Sequence, residues 1–291
     1  MNSSWTVITG STGGIGSEIA KQLVQKGDSL VLVNRSRDKA EAQRASLTAS
    51  NSSASVELVT ADLMDVEQIT AAASTIESIP GRVDALYNAS GVLTGEKVLS
   101  AQGFESHFAV NTLAPYALIR GLAKKMARPR SEVPAMVVNF SSSAIKAPKS
   151  LAVDDLCDPD EVGGLMTTYA QSKLAVTALA PALETELRED NILIRAIDPG
   201  ATKSAMTTSG NSGMPRFLSW LAPILFRPAD QQAAKVIESA APAALGGYSG
   251  VYVANRRIRP MPAPAADENA QRELISLLDQ ILDSTSRERD S

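Results

Sequence analysis

Tyr169 and Lys173 stand four residues apart in Tyr169-Ala170-Gln171-Ser172-Lys173. At that spacing in a helix the phenol and the ammonium share one face and can meet a common ligand. A positioned phenol can exchange a proton with a reacting oxygen, and a nearby cation favours its ionised form. An accidental surface pair has the same spacing, so the reading depends on partners elsewhere in the chain. Ser141, Ser142 and Ser143 follow the apolar run Val137–Phe140, and Asn111 lies in helical sequence within Phe108-Ala109-Val110-Asn111. His107, the only histidine, fits a helical core pattern better than the role of a second base.

A second group of residues suits a phosphate. Thr9-Gly10-Ser11-Thr12-Gly13-Gly14-Ile15-Gly16 joins an apolar strand to an amphipathic helix, with Gly10, Gly14 and Gly16 in GxxxGxG spacing. Such a turn lets backbone N–H groups and a helix N-terminus face a pyrophosphate. After the second strand comes Asn34-Arg35-Ser36-Arg37. An acid there would bind a ribose 2′-hydroxyl, whereas an arginine accepts a 2′-phosphate, so Arg35 points to NADP(H) over NAD(H). Arg37 reads as a solvated charge.

These residues need a scaffold, and the chain alternates strand-length apolar runs with helical ones. The strands are expected at Trp5–Thr9, Leu30–Asn34, Val56–Val59, Ala85–Asn88, Ala135–Phe140, Leu193–Asp198 and Val251–Val253. Helices are expected near Ile15–Lys26, Asp38–Ala49, Val66–Ile79, Gly103–Ala127, Thr168–Glu189 and Ala229–Ser239, with a last one near 267–284. This rhythm predicts an α/β fold: a doubly wound Rossmann-type parallel sheet of about seven strands in a single domain, with helices on both faces. Pro181 interrupts the helix that bears Tyr169 and predicts a bend beyond the catalytic turn.

Bulk properties narrow the partners. A net charge of −4 over 291 residues offers no basic face for nucleic acid. The single Cys157 excludes an internal disulfide and fits a reducing cytoplasm, and no run of roughly 20 apolar residues anchors the chain in a membrane. Asp154, Asp155, Asp158, Asp160 and Glu161 form an acidic stretch without the glycine and glutamate placement of a calcium loop, so no metal is expected.

The combined motifs resemble the short-chain dehydrogenase/reductase superfamily over nearly the whole chain. The resemblance implies that Asn111, Ser142, Tyr169 and Lys173 form the catalytic tetrad, with Asn111 positioning a water that links Lys173 to solvent. It implies cofactor contacts from Gly10, Ser11, Thr12, Gly14, Ile15 and Gly16, and from Asp62-Leu63 at the adenine. Asn88-Ala89-Ser90-Gly91 corresponds to the family's NNAG element, and Pro199-Gly200 with Thr202 to its nicotinamide-flanking turn. Ala89 departs from that element, lacking the side-chain hydrogen bond of a second Asn. Gly13 stands where many NADP(H)-preferring relatives carry a basic residue, leaving Arg35 with more of the phosphate recognition. Gly103–Asn111 and the long serine-to-tyrosine spacing are similar to the retinol dehydrogenase and protochlorophyllide reductase branch.

The implied reaction is hydride transfer between nicotinamide and a small-molecule carbonyl or alcohol carbon. Tyr169 exchanges the proton, its pKa drawn below about 10 by Lys173 and oxidised nicotinamide. A dinucleotide sensor on the same fold would not need this phenol; an epimerase or dehydratase would share it. Ala205–Phe226, with Met206, Phe217, Trp220 and Ile224, suits an apolar substrate lid or a subunit contact in a homo-oligomer.

Overall fold

A computed structural model describes residues 4–158, 167–201 and 227–290. Its centre is one sheet in the order β3-β2-β1-β4-β5-β6-β7-β8. The strands are β1 (Ser4–Thr9), β2 (Ser29–Asn34), β3 (Val56–Thr60), β4 (Arg82–Asn88), β5 (Ala135–Phe140), β6 (Ile192–Asp198), β7 (Val251–Ala254) and β8 (Arg257–Arg259). The first seven pair in parallel, as apolar runs covered on both faces should. All six residues of β5 are buried.

The expected seven strands are joined by a short edge strand, β8, which pairs antiparallel with β7. Its Arg257-Ile258-Arg259 is exposed throughout, so it carries no buried apolar signature. The two strands are joined by Asn255 and Arg256, both at positive φ, in the two-residue geometry a right-twisted hairpin favours.

Alternation along the strands builds two cores. Ile8, Leu30 and Leu32 pack against Ile19, Leu23 and Val24 of α1 (Gly14–Gln25), Leu47 of α2 (Arg37–Ser50), and Val236 of a later helix, Ala229–Ala240. Val7, Val31 and Val33 face the other way, toward Ile69 and Ile76 of α3 (Val66–Ser78). The same core takes Leu118 and Leu122 of a helix at Ala114–Met126 and Leu174 and Leu179 of one at Thr167–Glu189.

The expected helix at Gly103–Ala127 begins later and is irregular. It comprises α4 (Ser106–Phe108), a π-helical turn at Ala109–Leu113, and α5 (Ala114–Met126). Gly103 instead has a positive φ in a turn before it. Next come α6 (Thr167–Glu189), which runs through Pro181, and α7 (Ala229–Ala240). A short α8 (Ala263–Ala266) precedes α9 (Glu268–Asp290), which seals the second core with Leu274, Leu278 and Ile281. Strand order reverses between β1 and β4, and the candidate residues gather at the carboxyl ends of the strands there.

Candidate active site

The glycine turn after β1 is shaped for close backbone approach. Gly10 has φ of +67°, and a Cβ on it would lie 2.7 Å from Ser90 Oγ. A Cβ on Gly16 would lie 2.5 Å from the Gly10 carbonyl oxygen, so the first turn of α1 packs directly on the loop. Gly13 caps α1 without a side-chain hydrogen bond, and the first turn carries no acid. Its N–H groups and dipole are therefore available to an anion.

Ser11 is committed elsewhere. Its buried hydroxyl accepts from Asn34 Nδ2 at 2.9 Å and donates to Gln43 Oε1 at 2.8 Å, while Asn34 Oδ1 accepts from Thr12 N at 3.3 Å. Asn34 and Gln43 thus brace the loop from behind, Gln43 Nε2 also donating to the Ser11 carbonyl, and Ile15 is half-buried beyond them. At the ends of β2 and β3, the exposed Arg35 guanidinium lies 4.0 Å from the Asp62 carboxylate. Asp62 Oδ1 accepts from Met64 N at 3.0 Å and Leu63 is buried, which fixes this corner.

After β4, Asn88 Nδ2 donates to Asn139 Oδ1 at 2.9 Å, while its buried Oδ1 has no hydrogen-bond partner. Ala89 offers no side chain to answer it. Ser90 N donates to Thr9 Oγ1 at 3.0 Å, linking β4 to β1. A Cβ on Gly91 would sit 3.2 Å from Asn111 Oδ1 and 3.5 Å from Lys173 Nζ, so this turn lies directly against two of the candidate residues.

The structure brings Tyr169, Lys173 and Ser142 to one place. Tyr169 and Lys173 share a face of α6, with Nζ 6.0 Å from the phenol ring centroid. Ser142 faces the hydroxyl end of Tyr169, where it lowers the pKa of the phenol. Lys173 Nζ donates to Phe140 O at 2.9 Å, and burial pushes its pKa down to about 8 against the opposing attraction of Asp198. Tyr169 departs from the expected direction: burial raises its pKa, Ser142 lowers it, and Asp198 raises it further. Desolvation outweighs the expected pull of Lys173, whose own charged form is disfavoured by burial.

Asn111 sits in the π-helical turn, which swings its amide toward the loop after Gly91. Oδ1 accepts from Val92 N at 2.9 Å, and Nδ2 donates to Val92 O at 3.2 Å and Ser172 Oγ at 3.0 Å. Its observed contacts therefore tie the loop to α6. His107 is buried with both ring nitrogens engaged, which removes it as a free base.

Thr202 and the apolar stretch 205–226 lie outside the described residues, as do Asp160 and Glu161. Asp158 pairs with Lys97 at 2.5 Å, and no described group of three or more His, Cys, Asp or Glu side chains could hold a metal ion. Asp198 was not singled out from sequence. It accepts from Gly200 N at 2.8 Å and from the Tyr252 hydroxyl at 3.3 Å, fixing the Pro199-Gly200 turn. Its place directly before that turn was the available signal. Gln232 is a second such residue: a Cβ on Gly200, at φ +82°, would lie 2.6 Å from its Nε2.

Against known proteins, the family model for short chain dehydrogenase matches residues 4–153 and 160–215. The chain belongs to this family. It lies near the retinol dehydrogenase branch: human retinol dehydrogenase 13 is 28% identical over 200 residues, covering 69% of this chain and 59% of the human protein. A structure from Mycobacterium paratuberculosis, described as a putative uncharacterized protein, superposes with a TM-score of 0.74 at 23% identity, covering 97% of this chain and 96% of that one. L-sorbose reductase from Gluconobacter frateurii, solved with NADPH and L-sorbose, gives 0.67 at 22% identity, covering 87% and 95%. These two likenesses establish the fold of this family member. No described helix is long and apolar enough to cross a membrane.

Proposed function

We propose that this dehydrogenase is an NADP(H)-dependent oxidoreductase that moves a hydride between nicotinamide and the carbonyl or alcohol carbon of a lipophilic small molecule, with Tyr169 as its acid and base. The observation that carries the reading is the convergence of Tyr169, Ser142 and Lys173 at the carboxyl edge of β5, beside the bare N-terminus of α1. The N-terminus of α1, without a side-chain cap or an acid in its first turn, fits a pyrophosphate. Arg35 meets the ribose end with a cation where an NAD(H) site would place an acid. The NADPH complex of L-sorbose reductase favours the same cofactor here.

The α1 N-terminus would hold the pyrophosphate of this cofactor, whose nicotinamide would supply or take up the hydride. Ser142 holds the substrate oxygen by a hydrogen bond next to Tyr169. Tyr169 gives its proton to that oxygen in reduction and takes one back in oxidation. Burial raises the pKa of the phenol further above neutrality, which favours the protonated form that donates in the reductive direction. Lys173 would hold the nicotinamide ribose and, with a pKa of about 8, can return a proton to the phenol. Asn111 holds the Val92 loop and α6 in register around this group, and in addition positions the water that connects Lys173 to solvent.

A lipophilic substrate is supported by the apolar composition of 205–226 and by Val98 and Leu99, apolar side chains exposed on the loop after Gly91. The name of the human relative adds a retinol-like alcohol as the model compound. The reading places the protein in the cytoplasm, where Cys157 stays a thiol whose pKa burial pushes up to about 11. The test is oxidation of NADPH, deuterated at its transferable position, against lipophilic aldehydes and ketones, including retinal. Deuterium must appear on the carbinol carbon of a product. Binding of NADPH with no transfer to any carbonyl would overturn the reading.

A further inference from the structure

Glu105 and His107 form a buried pair that the reaction above leaves unused. Neither side chain has any solvent exposure. His107 Nε2 accepts from Thr94 N at 3.1 Å, so Nδ1 carries the hydrogen and donates it to Glu105 Oε1 at 2.8 Å. The carboxylate is fixed in turn. Oε2 accepts from His107 N at 2.8 Å and Phe108 N at 3.3 Å, and Oε1 accepts from the Ser106 hydroxyl at 2.9 Å. Glu105 N donates to Cys157 O at 2.6 Å. With both nitrogens held, the imidazole cannot reorient. Its ring meets that of Tyr169 in a T-shaped contact, with centroids 6.2 Å apart and planes at 73°.

We propose that His107, locked by Glu105, is a positioning residue for Tyr169: a rigid wall that sets the direction of the phenol and keeps water from its ring. Lys173 Nζ lies 6.0 Å from the same ring, and Ser142 and Asp198 act on the hydroxyl end, so His107 supplies an aromatic constraint that these three do not. T-shaped packing is a favoured aromatic geometry, and small displacements of a reacting group cost rate disproportionately. The inference rests on Tyr169 being the acid/base.

The test compares His107→Gln with His107→Phe in the full chain. Glutamine can still accept from Thr94 N but removes the ring; phenylalanine keeps the ring and removes both hydrogen bonds. Two quantities are measured. One is the titration of Tyr169, followed by NMR of ring-labelled tyrosine and assigned with Tyr169→Phe, which needs no turnover. The other is kcat against KM.

His107→Gln is expected to lower kcat about tenfold with KM for NADPH unchanged. It should also move the Tyr169 titration to lower pH, because water relieves the burial that raises it. His107→Phe is expected to keep the parent titration and more of kcat. Should that variant not fold because the Glu105 carboxylate is stranded, the double variant Glu105→Gln, His107→Phe carries the same expectation. His107→Gln with unchanged titration and kcat would overturn the proposal. If the parent protein reduces no carbonyl, the functional reading fails while the titration still decides the positioning.

Discussion

Lys173 Nζ donates to the carbonyl oxygen of Phe140, the last residue of β5, at 2.9 Å. The contact anchors the ammonium inside the protein, where burial brings its pKa from 10.5 to about 8. Between these values the folded chain binds fewer protons than the unfolded one, so stability from this group rises with pH and is lost as pH falls through about 8. Lys173→Met removes the buried charge. Its Tm should exceed that of the parent by a few degrees near about pH 6, with the gap closing toward about pH 10. Turnover should vanish. Thermal melts at the two pH values decide it: a gap independent of pH contradicts the burial argument.

Arg35 is exposed and only loosely paired with Asp62, so its guanidinium can turn to a 2′-phosphate without breaking a buried contact. Charge-assisted hydrogen bonds contribute on the order of 1.5–3 kcal/mol. Arg35→Ala should therefore weaken NADPH by roughly ten- to a hundredfold and leave NADH nearly unchanged, as read by fluorescence titration of both cofactors. Equal losses would assign Arg35 to the fold instead.

Three hydrogen bonds converge on the amide of Asn111, from Val92 N to its Oδ1 and from its Nδ2 to Val92 O and Ser172 Oγ. Asn111→Ala should cost roughly 2–3 kcal/mol of stability, because buried partners are left unpaired. Denaturant unfolding measures the loss. A change below about 0.5 kcal/mol would mean that the loop after Gly91 is held by other contacts.

The helices and inner strands were readable because burial writes itself into periodicity: Val, Ile and Leu runs marked β2, β5 and β6, and Leu274, Leu278 and Ile281 marked the stripe of α9. β8 escaped because an exposed Arg-Ile-Arg edge has no such signature. The π-helical turn around Asn111 escaped because its extra residue per turn depends on tertiary packing. Motifs located Tyr169, Lys173 and Ser142, but the direction of the Tyr169 pKa depends on how deeply the fold buries it. Asp198, Gln232 and the Glu105–His107 pair act through contacts made only when distant elements meet. For the same reason Ser11, readable as a ligand contact, has its hydroxyl drawn into the Asn34–Gln43 brace.

Phe217 and Trp220 test the lipophilic-substrate proposal. Each change to Ala should raise KM for a bulky apolar carbonyl by about tenfold, a loss of roughly 1–3 kcal/mol of apolar contact, with Tm and NADPH affinity little altered. Steady-state kinetics on retinal and on a short aldehyde, run beside melts, separate the outcomes. Loss of folding or a changed oligomeric state with KM unaltered would make the segment core or subunit contact.

The central claim is that Tyr169 is the proton donor and acceptor. Tyr169→Phe keeps the ring and its contact with His107 while removing only the hydroxyl that faces Ser142. The decisive measurement is single-turnover reduction by this variant under saturating NADPH, alongside its dissociation constant for NADPH. A rate lowered by about 10²–10⁴ with cofactor affinity unchanged is the predicted result. A rate close to that of the parent protein would contradict the account.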